Sequence, residues 1–398
     1  MSNSNSKSQL VFLSGKRTPF GANGGSLKDV GPTDLGLAAS NAALAQAKVR
    51  ADQIDHVVFG NVLPATADTI YIPRHIGLRA GVPQNIPALG INRLCGTGFQ
   101  VVLEAQQQML SGDTEVALVG GVENMSMAPY VLRGARWGLR MGNQQASDLL
   151  MECLTDAYAQ APMAITAENL AVQYGLSREV CDQFALLSQK KCADATAAGR
   201  FKEEIAAMEI ADRKGTRTLD RDEHPRPEST PEILAKLKPV FKKDGVVTAA
   251  NASGIVDGAA AMVVATESRA LKEGWSPLGR LVATGVVGCD PKIMGIGPAP
   301  ATRQALKKAG MTLDQMDLIE VNEAFAPQAL AVQKELGIDP SKMNQNGGAI
   351  AIGHPLAASG TRILMHLLYE LRRQKKRYGL GTACIGGGQG IAMIIEAF

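Results

Sequence analysis

The sequence predicts an α/β protein in which one unit of strands and helices occurs twice. Hydrophobic residues make up 45% of the 398 residues but aromatic residues only 4%, a balance typical of closely packed helix–sheet layers. Continuous apolar strands alternate with amphipathic helices, and this pattern indicates buried sheets covered by helices. A chain of this length can fill the cores of two or three domains.

The duplication is visible as two similarities with the same spacing. Residues 52–61 and 314–323 both begin like a capped helix and continue into a short apolar strand, and 314 − 52 gives an offset of 262. Residues 95–98 and 357–360 both precede a helical pattern, and 360 − 98 gives the same 262. One offset at two places indicates that a whole βα unit was duplicated.

The strands of the two halves follow from their apolar runs. Each run is short and flanked by turn-forming residues or by a helical pattern. We predict strands at residues 9–14, 57–60, 116–120, 278–287, 318–321 and 379–385.

A stretch of different character separates the halves. It contains two predicted helices, 166–174 and 178–198, the second with Ser177 as its N-cap, and a polar, proline-containing segment at 212–231. We expect an N-terminal half of residues 1–124 plus 250–274, an inserted loop domain of residues 125–249, and a C-terminal half of residues 275–398.

Charge and cysteine usage exclude several classes of function. The net charge of +3 is too small to indicate a nucleic-acid partner, and basic runs such as Arg213-Lys214 and residues 372–377 are typical of solvated surfaces. Six cysteines without a CxxC pair indicate neither a disulfide framework nor a metal site. Residues 1–8 are polar, and no apolar run is long enough for a membrane span, so a cytoplasmic protein is expected.

Two cysteines lie inside glycine clusters. Cys95 precedes Gly96 and Gly98, and glycines beside a thiol let backbone N–H groups converge on a developing oxyanion. Cys95 also precedes a predicted helix, whose N-terminus would favour a thiolate. These neighbours favour a nucleophile over the common alternative, a buried cysteine that only packs.

His354 is the histidine with a glycine-rich setting. It follows a strand-like apolar run in Gly-His-Pro at 353–355, three residues before Ala357, the counterpart of Cys95 in the repeat. If the halves pack with pseudo-twofold symmetry, His354 meets Cys95 as a base must. The other histidines are expected to be structural: His56, His75, His224 and His366.

Two further residues follow apolar strands. Cys384 is followed by three glycines, and a second thiol without a nucleophilic role could move a proton to and from carbon. Asn322 follows the strand at 318–321, where its amide could orient a water or donate to an oxyanion. Capping the next helix is an equally good role for Asn322 on local sequence.

With these residues in place, the chain resembles the thiolase family from end to end. The motifs that carry the resemblance stand in the family's order: Lys-Arg-Thr-Pro-Phe at 16–20, Asn-Arg-Leu-Cys at 92–95, Gly-Gly-Val-Glu-Asn-Met-Ser at 120–126, Asn-Ala-Ser-Gly at 251–254, Asn-Glu-Ala-Phe at 322–325, Gly-His-Pro at 353–355 and Cys-Ile-Gly-Gly-Gly at 384–388. The resemblance implies the thiolase fold: two βαβαβαββ-type halves in a layered α-β-α-β-α arrangement, with an inserted loop domain.

The family's chemistry implies a role for each catalytic residue. Cys95, deprotonated by His354, would attack a 3-oxoacyl-CoA, and Cys384 would protonate the acetyl-CoA enolate that leaves. One oxyanion hole would consist of His354 with a water held by Asn322, and another of the N–H groups of Cys95 and Gly386. Coenzyme A is the implied co-substrate, and no tightly bound cofactor or metal is expected.

The family pattern also implies coenzyme A contacts. Arg226 would bind the nucleotide end and Ser253 would lie near the pantetheine. The apolar wall of the pantetheine tunnel would consist of Met163, Phe241, Ala249, Ala324, Phe325 and Met294. A homotetramer built as a dimer of dimers is expected by the same resemblance, with residues 125–141 as a contact loop.

Departures from the pattern concern the substrate. Pro162 stands where bacterial biosynthetic thiolases commonly have His, Thr97 replaces the more usual Ser, and Val256 occupies a site that often holds a polar or small residue. Residues 154–171 resemble the mitochondrial type of 3-ketoacyl-CoA thiolase, an enzyme of fatty-acid β-oxidation. We therefore expect a thiolase for short-to-medium 3-oxoacyl-CoA, including acetoacetyl-CoA.

Three alternatives remain in view. A dedicated biosynthetic thiolase would condense two acetyl-CoA molecules with the same residues. A decarboxylating ketoacyl synthase would carry a second histidine where this chain has Cys384, which disfavours it. A non-catalytic acyl-CoA or lipid carrier with the same fold could lose Cys95, His354 or Cys384, yet all three are present.

Overall fold

The computed structural model describes residues 9–212 and 215–398. Two sequence-based expectations lie outside these residues: the polar start at 1–8 and the solvated basic pair Arg213-Lys214.

One mixed sheet path runs through both halves, in the order β14-β15-β16-β13-β1-β12-β5-β3-β4. The halves join where β1 pairs with β13 through only two residue pairs. The strands are β1 Leu10–Arg17, β2 Gly21–Ala22, β3 His56–Gly60, β4 Ala88–Ile91, β5 Val116–Glu123, β6 Tyr130–Val131, β7 Ser147–Asp148, β8 Thr155–Asp156, β9 Ala161–Pro162, β10 Met208–Asp212, β11 Gly215–Leu219, β12 Val256–Thr266, β13 Gly279–Gly288, β14 Leu318–Val321, β15 Tyr378–Ile385 and β16 Gln389–Ala397.

The helices form layers on these strands. Helix α1 packs on β1, β5 and β12, α9 packs on β13 and β16, and α3 and α12 pack against each other between the two halves. The helices are α1 Pro32–Ala47, α2 Ile72–Arg79, α3 Thr97–Ser111, α4 Leu149–Cys153, α5 Met163–Tyr174, α6 Arg178–Ala197, α7 Pro231–Ala235, α8 Glu267–Glu273, α9 Pro298–Ala309, α10 Ala326–Leu336, α11 Ala349–Ile352 and α12 Ser359–Arg373.

The predicted duplication recurs in the elements. The starts of β3 and β14 differ by 318 − 56 = 262, those of α3 and α12 by 359 − 97 = 262, and those of β5 and β15 by 378 − 116 = 262. In both halves the first strand of this unit pairs in parallel with the last, as a βαβ unit requires. The repeated unit therefore extends over about 70 residues of each half.

The two central helices cross at equivalent glycines. A Cβ on Gly98 would lie 2.5 Å from the backbone nitrogen of Thr361, and one on Gly360 would lie 2.3 Å from that of Phe99. The hydroxyl of Thr361 donates to the carbonyl of Gly98 at 3.0 Å. Only glycine allows this approach, and it brings the N-terminal ends of α3 and α12 together.

The stretch between the halves contains both predicted helices. They are α5 and α6, and the side chain of Ser177 accepts the N–H of Val180 as the N-cap of α6. Of the segment predicted as a polar loop, 212–231, residues 215–219 form β11, which pairs with β10, whereas residues 220–230 lie outside helices and strands.

One local prediction was wrong. The run before Gly353 was expected to be strand-like, but it forms the short helix α11. Its residues are fully buried, and a short buried apolar run does not distinguish helix from strand by periodicity. In the described part of the chain, no helix is both long and apolar enough to span a membrane.

Candidate active site

Cys95 lies where the central helices begin. It sits in a 3₁₀ turn, Leu94–Gly96, directly before α3. Leu94 has a positive φ of 47°, which is unusual for a leucine, and the side chain of Asn92 accepts its N–H at 2.9 Å. The strained turn presents the thiol at the end of α3 that faces α12.

The partly buried thiol of Cys95 faces backbone N–H groups. Burial raises its pKa to about 11, although the N–H groups of Gly386 and of Cys95 itself act in the opposite direction. The thiolate expected from the helix start is therefore not the resting form, because the loss of water outweighs the N–H groups.

The imidazole of His354 is buried, and its hydrogen bonds fix its tautomer. The hydroxyl of Ser359 donates to the carbonyl of Pro355 at 3.1 Å, so it accepts a hydrogen bond from the Nδ1–H of His354 at 2.6 Å. Nε2 is then unprotonated and lies 3.3 Å from Nδ2 of Asn322. This assignment leaves Nε2 able to accept a proton.

The environment of His354 keeps the ring neutral. Burial lowers its pKa to about 3, and the charge of Arg362 acts in the same direction. Arg362 is itself buried and forms an ion pair with Glu320 at 3.2 Å. Glu320 is the third residue of β14.

Asn322 follows β14 directly and is buried. Its Oδ1 has no hydrogen-bond partner among the described residues, while its amide nitrogen faces His354. The side chain does not cap α10, because Phe325 is the residue at that N-cap. Of the two roles left open by the sequence, the geometry favours one toward a ligand or water.

Cys384 lies at the end of β15 and is fully buried. Burial raises its pKa well above the usual value, and the neighbouring thiols Cys95 and Cys289 raise it further. Gly387 and Gly388 follow with φ of 80° and 81°, so the turn after the strand needs glycine. The two predicted thiols are thus close enough to interact, one on each half.

The predicted apolar wall is continuous with Cys384. Met294 and Ala324 form a buried cluster with Cys384, and Met163 and Phe325 pack against it. A Cβ on Gly386 would lie 3.4 Å from the sulfur of Met163, so this wall also borders the Cys95 side.

The remaining predicted coenzyme A residues lie farther out. Ser253 joins the wall through a hydrogen bond from its N–H to the carbonyl of Ala324 at 3.0 Å. Arg226, Phe241 and Ala249 are exposed, and among the described residues no hydrogen bond or core cluster joins them to Cys95 or Cys384. Core packing, the common alternative for an apolar residue, applies to Met294 but not to Phe241, which is 42% exposed.

Sequence reasoning missed a buried carboxylate beside the nucleophile. Glu123 accepts the N–H groups of Val62, Leu63 and Ala357, at 2.9 to 3.2 Å, and so ties the first residues before α12 to the end of β5. Burial raises its pKa to about 8. Its place in a Gly-Gly-Val-Glu run at the end of a strand was the available signal.

Among residues 9–212 and 215–398, no group of three or more His, Cys, Asp or Glu side chains is arranged to hold a metal ion. The expectation that the protein needs neither a metal nor a bound cofactor stays a prediction.

Known proteins resemble this chain over its whole length. The family model described as "Thiolase, N-terminal domain" matches residues 10–268, and "Thiolase, C-terminal domain" matches residues 275–397. The mitochondrial 3-ketoacyl-CoA thiolase of Bos taurus is 56% identical over 97% of this chain and 98% of its own. An acetyl-CoA acetyltransferase of Syntrophomonas wolfei is 47% identical over 98% of this chain and 99% of its own.

The fold matches solved structures equally well. The crystal structure of human mitochondrial 3-ketoacyl-CoA thiolase in complex with CoA superposes with a TM-score of 0.95 at 53% identity, covering 98% of this chain and 99% of the other. The predicted layered α/β fold is thereby confirmed.

The cytoplasmic location predicted from the sequence is contradicted by these relatives. Mammalian proteins that are 53% to 56% identical are named mitochondrial, which points to the mitochondrion rather than the cytoplasm. The prediction relied on the lack of a recognisable leader, and such a lack does not determine a compartment.

Proposed function

Because the chain belongs to the thiolase family, we propose that it is an acyltransferase that cleaves 3-oxoacyl-CoA with coenzyme A, reversibly, to acetyl-CoA and a shortened acyl-CoA. The observation that carries this proposal is a pair of interacting thiols, Cys95 and Cys384, with the residues just after His354 packed beside Cys95. A single thiol–imidazole pair would suit many reactions, whereas a second buried thiol suits proton transfer at carbon.

The first half-reaction forms an acyl-enzyme. Nε2 of His354 takes the proton of the Cys95 thiol as the sulfur attacks the 3-keto carbon. The bond between C2 and C3 then breaks, the acyl group stays on Cys95, and the electron pair leaves with the acetyl-CoA enolate. Cys384 gives its proton to C2, so acetyl-CoA leaves as a neutral thioester.

The second half-reaction transfers the acyl group. The Cys384 thiolate is restored to a thiol by the proton of the incoming coenzyme A, whose sulfur attacks the acyl carbon. The Cys95 sulfur leaves and regains its proton from His354. In the condensing direction the same groups act in reverse order.

Oxyanion stabilisation falls to donors on both sides of the site. The N–H groups of Cys95 and Gly386 face the Cys95 sulfur and suit the oxyanion of an acyl-Cys95 intermediate. The amide of Asn322, with its unpartnered Oδ1, suits a bound water that donates beside His354.

Coenzyme A would approach along the inserted region. Met163, Met294, Ala324 and Phe325 supply an apolar wall for the pantetheine, and Ser253 lies beside Ala324. The exposed Arg226, Phe241 and Ala249 would then meet the outer part of the molecule.

The identities favour the 3-ketoacyl type over a dedicated acetoacetyl-CoA enzyme. The chain is 56% identical to the bovine 3-ketoacyl-CoA thiolase and 47% identical to the acetyl-CoA acetyltransferase. A short-to-medium range of substrates and a place in fatty-acid β-oxidation are the finer parts of the proposal.

A homotetramer built from dimers completes the proposal. Its support is the loop within 125–158, which exposes large apolar residues: Tyr130, Leu132, Trp137, Leu139, Met141, Met151 and Tyr158. Such a concentration on one loop is typical of a surface that binds another chain.

We also propose a division of the chain into three parts. They are an N-terminal half of residues 1–124 plus 250–274, an inserted loop domain of residues 125–249, and a C-terminal half of residues 275–398.

The direct test is thiolysis of acetoacetyl-CoA, followed as loss of the enolate absorbance. We expect turnover by the wild type and a loss of at least about 10³-fold in Cys95→Ala. The control is Ser111→Ala, an exposed residue at the C-terminal end of α3, which should stay active. Equal inactivity of wild type and Cys95→Ala, with coenzyme A binding retained by both, would support the carrier alternative instead.

The second thiol has its own test. Cys384→Ala should still form an acyl-enzyme with a reactive acyl-CoA, because Cys95 and His354 remain. It should not exchange the α-protons of acetyl-CoA with solvent, which can be measured by NMR in D₂O. Normal exchange in this variant would contradict the role proposed for Cys384.

A further inference from the structure

The helix that precedes His354 is held by side chains from the inserted region. The carbonyl of Ile350 in α11 accepts Nε2 of Gln189 at 3.3 Å, and the carbonyl of Ala351 accepts Nδ1 of His224 at 2.8 Å. Since α11 has only four residues, its own hydrogen bonds are few, and these two outside donors hold much of its backbone.

The same two residues also hold Arg226. The backbone N–H of Arg226 donates to Oε1 of Gln189 at 2.9 Å, and its guanidinium donates to the carbonyl of His224 at 2.7 Å. Gln189 therefore uses both ends of its buried amide, one toward Arg226 and one toward α11. A change in the position of Arg226 therefore changes the position of α11, and the reverse also holds.

His224 reaches a second segment that fixes His354. Its ring lies so close to Gly254 that a Cβ there would be 1.9 Å from Nε2. The carbonyl of Gly254 accepts the backbone N–H of His354 at 2.9 Å. Burial lowers the pKa of His224, so the neutral ring donates from Nδ1 to Ala351.

We propose that Gln189 and His224 are positioning residues that couple binding of the nucleotide end of coenzyme A at Arg226 to the placement of His354. The inference rests on the proposed function, which assigns Arg226 and His354 their roles. Binding energy from a part of the substrate that does not react can be used to order the reacting groups. The coupling is reciprocal, so a correctly placed His354 also favours binding at Arg226.

Turnover with and without the nucleotide tests this coupling. With coenzyme A substrates, Gln189→Leu should lower kcat by about tenfold or more, because binding at Arg226 no longer brings His354 into place. With acetoacetyl-pantetheine and pantetheine as acceptor, wild type and variant should have the same kcat, since nothing binds Arg226. The control is Gln183→Leu, an exposed glutamine of the same helix, which should match the wild type on both substrates. An equal loss on both substrates, or none on either, would overturn the proposal.

Two variants of His224 provide an independent test, which also serves if Gln189→Leu does not fold. His224→Phe keeps a ring but loses the donor to Ala351, whereas the amide nitrogen of His224→Asn can replace Nδ1. We expect His224→Phe to lose kcat with coenzyme A substrates only, and His224→Asn to recover most of it. Equal kcat values for the two variants would contradict the donor role.

A readout without turnover separates this proposal from the proposed function. Adenosine 3′,5′-bisphosphate, a fragment of the nucleotide end, should raise the rate of Cys95 alkylation by iodoacetamide about fivefold in the wild type. It should have no effect in Gln189→Leu. An unchanged rate in the wild type would refute the coupling even if thiolysis is normal, whereas a fragment effect in an enzyme without thiolysis would refute only the proposed reaction.

Discussion

At the level of single residues, the resting site holds a neutral Cys95 thiol and a neutral His354 imidazole. Burial raises the pKa of Cys95 to about 11 and lowers that of His354 to about 3, so a preformed thiolate–imidazolium pair is disfavoured by both partners. The proton must then move as the sulfur attacks, when the developing oxyanion receives the N–H groups of Cys95 and Gly386.

This arrangement predicts the pH dependence of alkylation in the free enzyme. Below the raised pKa of Cys95, the thiolate fraction grows with pH, so the rate of Cys95 alkylation by iodoacetamide should rise about tenfold per pH unit between pH 7 and pH 9. The rate can be measured by mass spectrometry of the peptide that contains Cys95. Cys384→Ala should show a similar slope, whereas a plateau below pH 8 would indicate an ion pair.

The catalytic residues could be found from the sequence because each has a local signal. Cys95 and Cys384 stand in glycine clusters, and His354 stands in Gly-His-Pro. The roles of the supporting residues could not be found in this way. The partners of Glu123 lie far along the chain, and the contact of Ser359 with His354, five residues away, depends on the turn between them. The raised pKa of Cys95 could not be predicted either, since the burial of its thiol depends on how both halves pack.

At the level of elements, the site depends on how closely α3 and α12 cross. Gly98 and Gly360 occupy equivalent positions in the two halves, and their backbones contact each other at the start of each helix. Cys95 lies three residues before Gly98, and His354 lies six residues before Gly360. Any change in the crossing therefore changes the position of the nucleophile relative to its base.

Gly98→Ala should disturb both stability and activity. The added Cβ would lie 2.5 Å from a backbone nitrogen of the other helix, so the helices must separate. We expect a loss of about 3 kcal/mol in the free energy of unfolding and a fall of about 10²-fold in kcat. The thermal midpoint and acetoacetyl-CoA thiolysis measure these effects.

A matched substitution serves as the control. In Gly90→Ala the new Cβ would meet its nearest neighbour, Pro73, at an ordinary 3.6 Å. This variant should resemble the wild type in both measurements. If Gly98→Ala were as stable and active as Gly90→Ala, the crossing would not be what positions the site.

Sequence patterns predicted the long elements well and one short element incorrectly. The helix α6 and the strand β14 follow clear periodicity and flanking signals, and the offset of 262 between the halves reappears in three pairs of elements. The run before His354 has neither the length nor the periodicity to identify a helix. In the observed helix, its carbonyls accept hydrogen bonds from Gln189 on α6 and from His224, and such distant partners cannot be read from the local sequence.

At the level of the whole molecule, one buried ionic cluster joins segments that are far apart in the sequence. Arg17 of β1 is fully buried and pairs with Glu204 at 2.8 Å and with Asp222 at 2.6 Å. Glu204 also accepts from Nδ1 of His366 in α12, at 2.8 Å. The cluster thus fastens residues 204 and 222, which lie in the same stretch as Gln189 and Arg226, to β1 and to α12.

The cluster predicts how stability depends on pH. Burial alone would raise the pKa of Glu204, but His366 and Arg17 together lower it to about 2. A carboxylate with a lowered pKa stabilises the fold above its unfolded pKa, about 4.5, and that contribution is lost as the pH falls toward 2. Glu204→Gln should therefore lower the free energy of unfolding by about 3 kcal/mol at pH 7, and the difference from wild type should shrink below pH 4.5. Thermal midpoints at several pH values measure this difference.

The neighbouring substitution Glu203→Gln is the control. The Glu203 side chain is 51% exposed and contacts Arg373 at the surface, so this variant should lower the free energy of unfolding by less than about 0.5 kcal/mol. A Glu204→Gln deficit that stayed constant down to pH 3 would mean that lost packing, rather than lost charge, destabilises the variant.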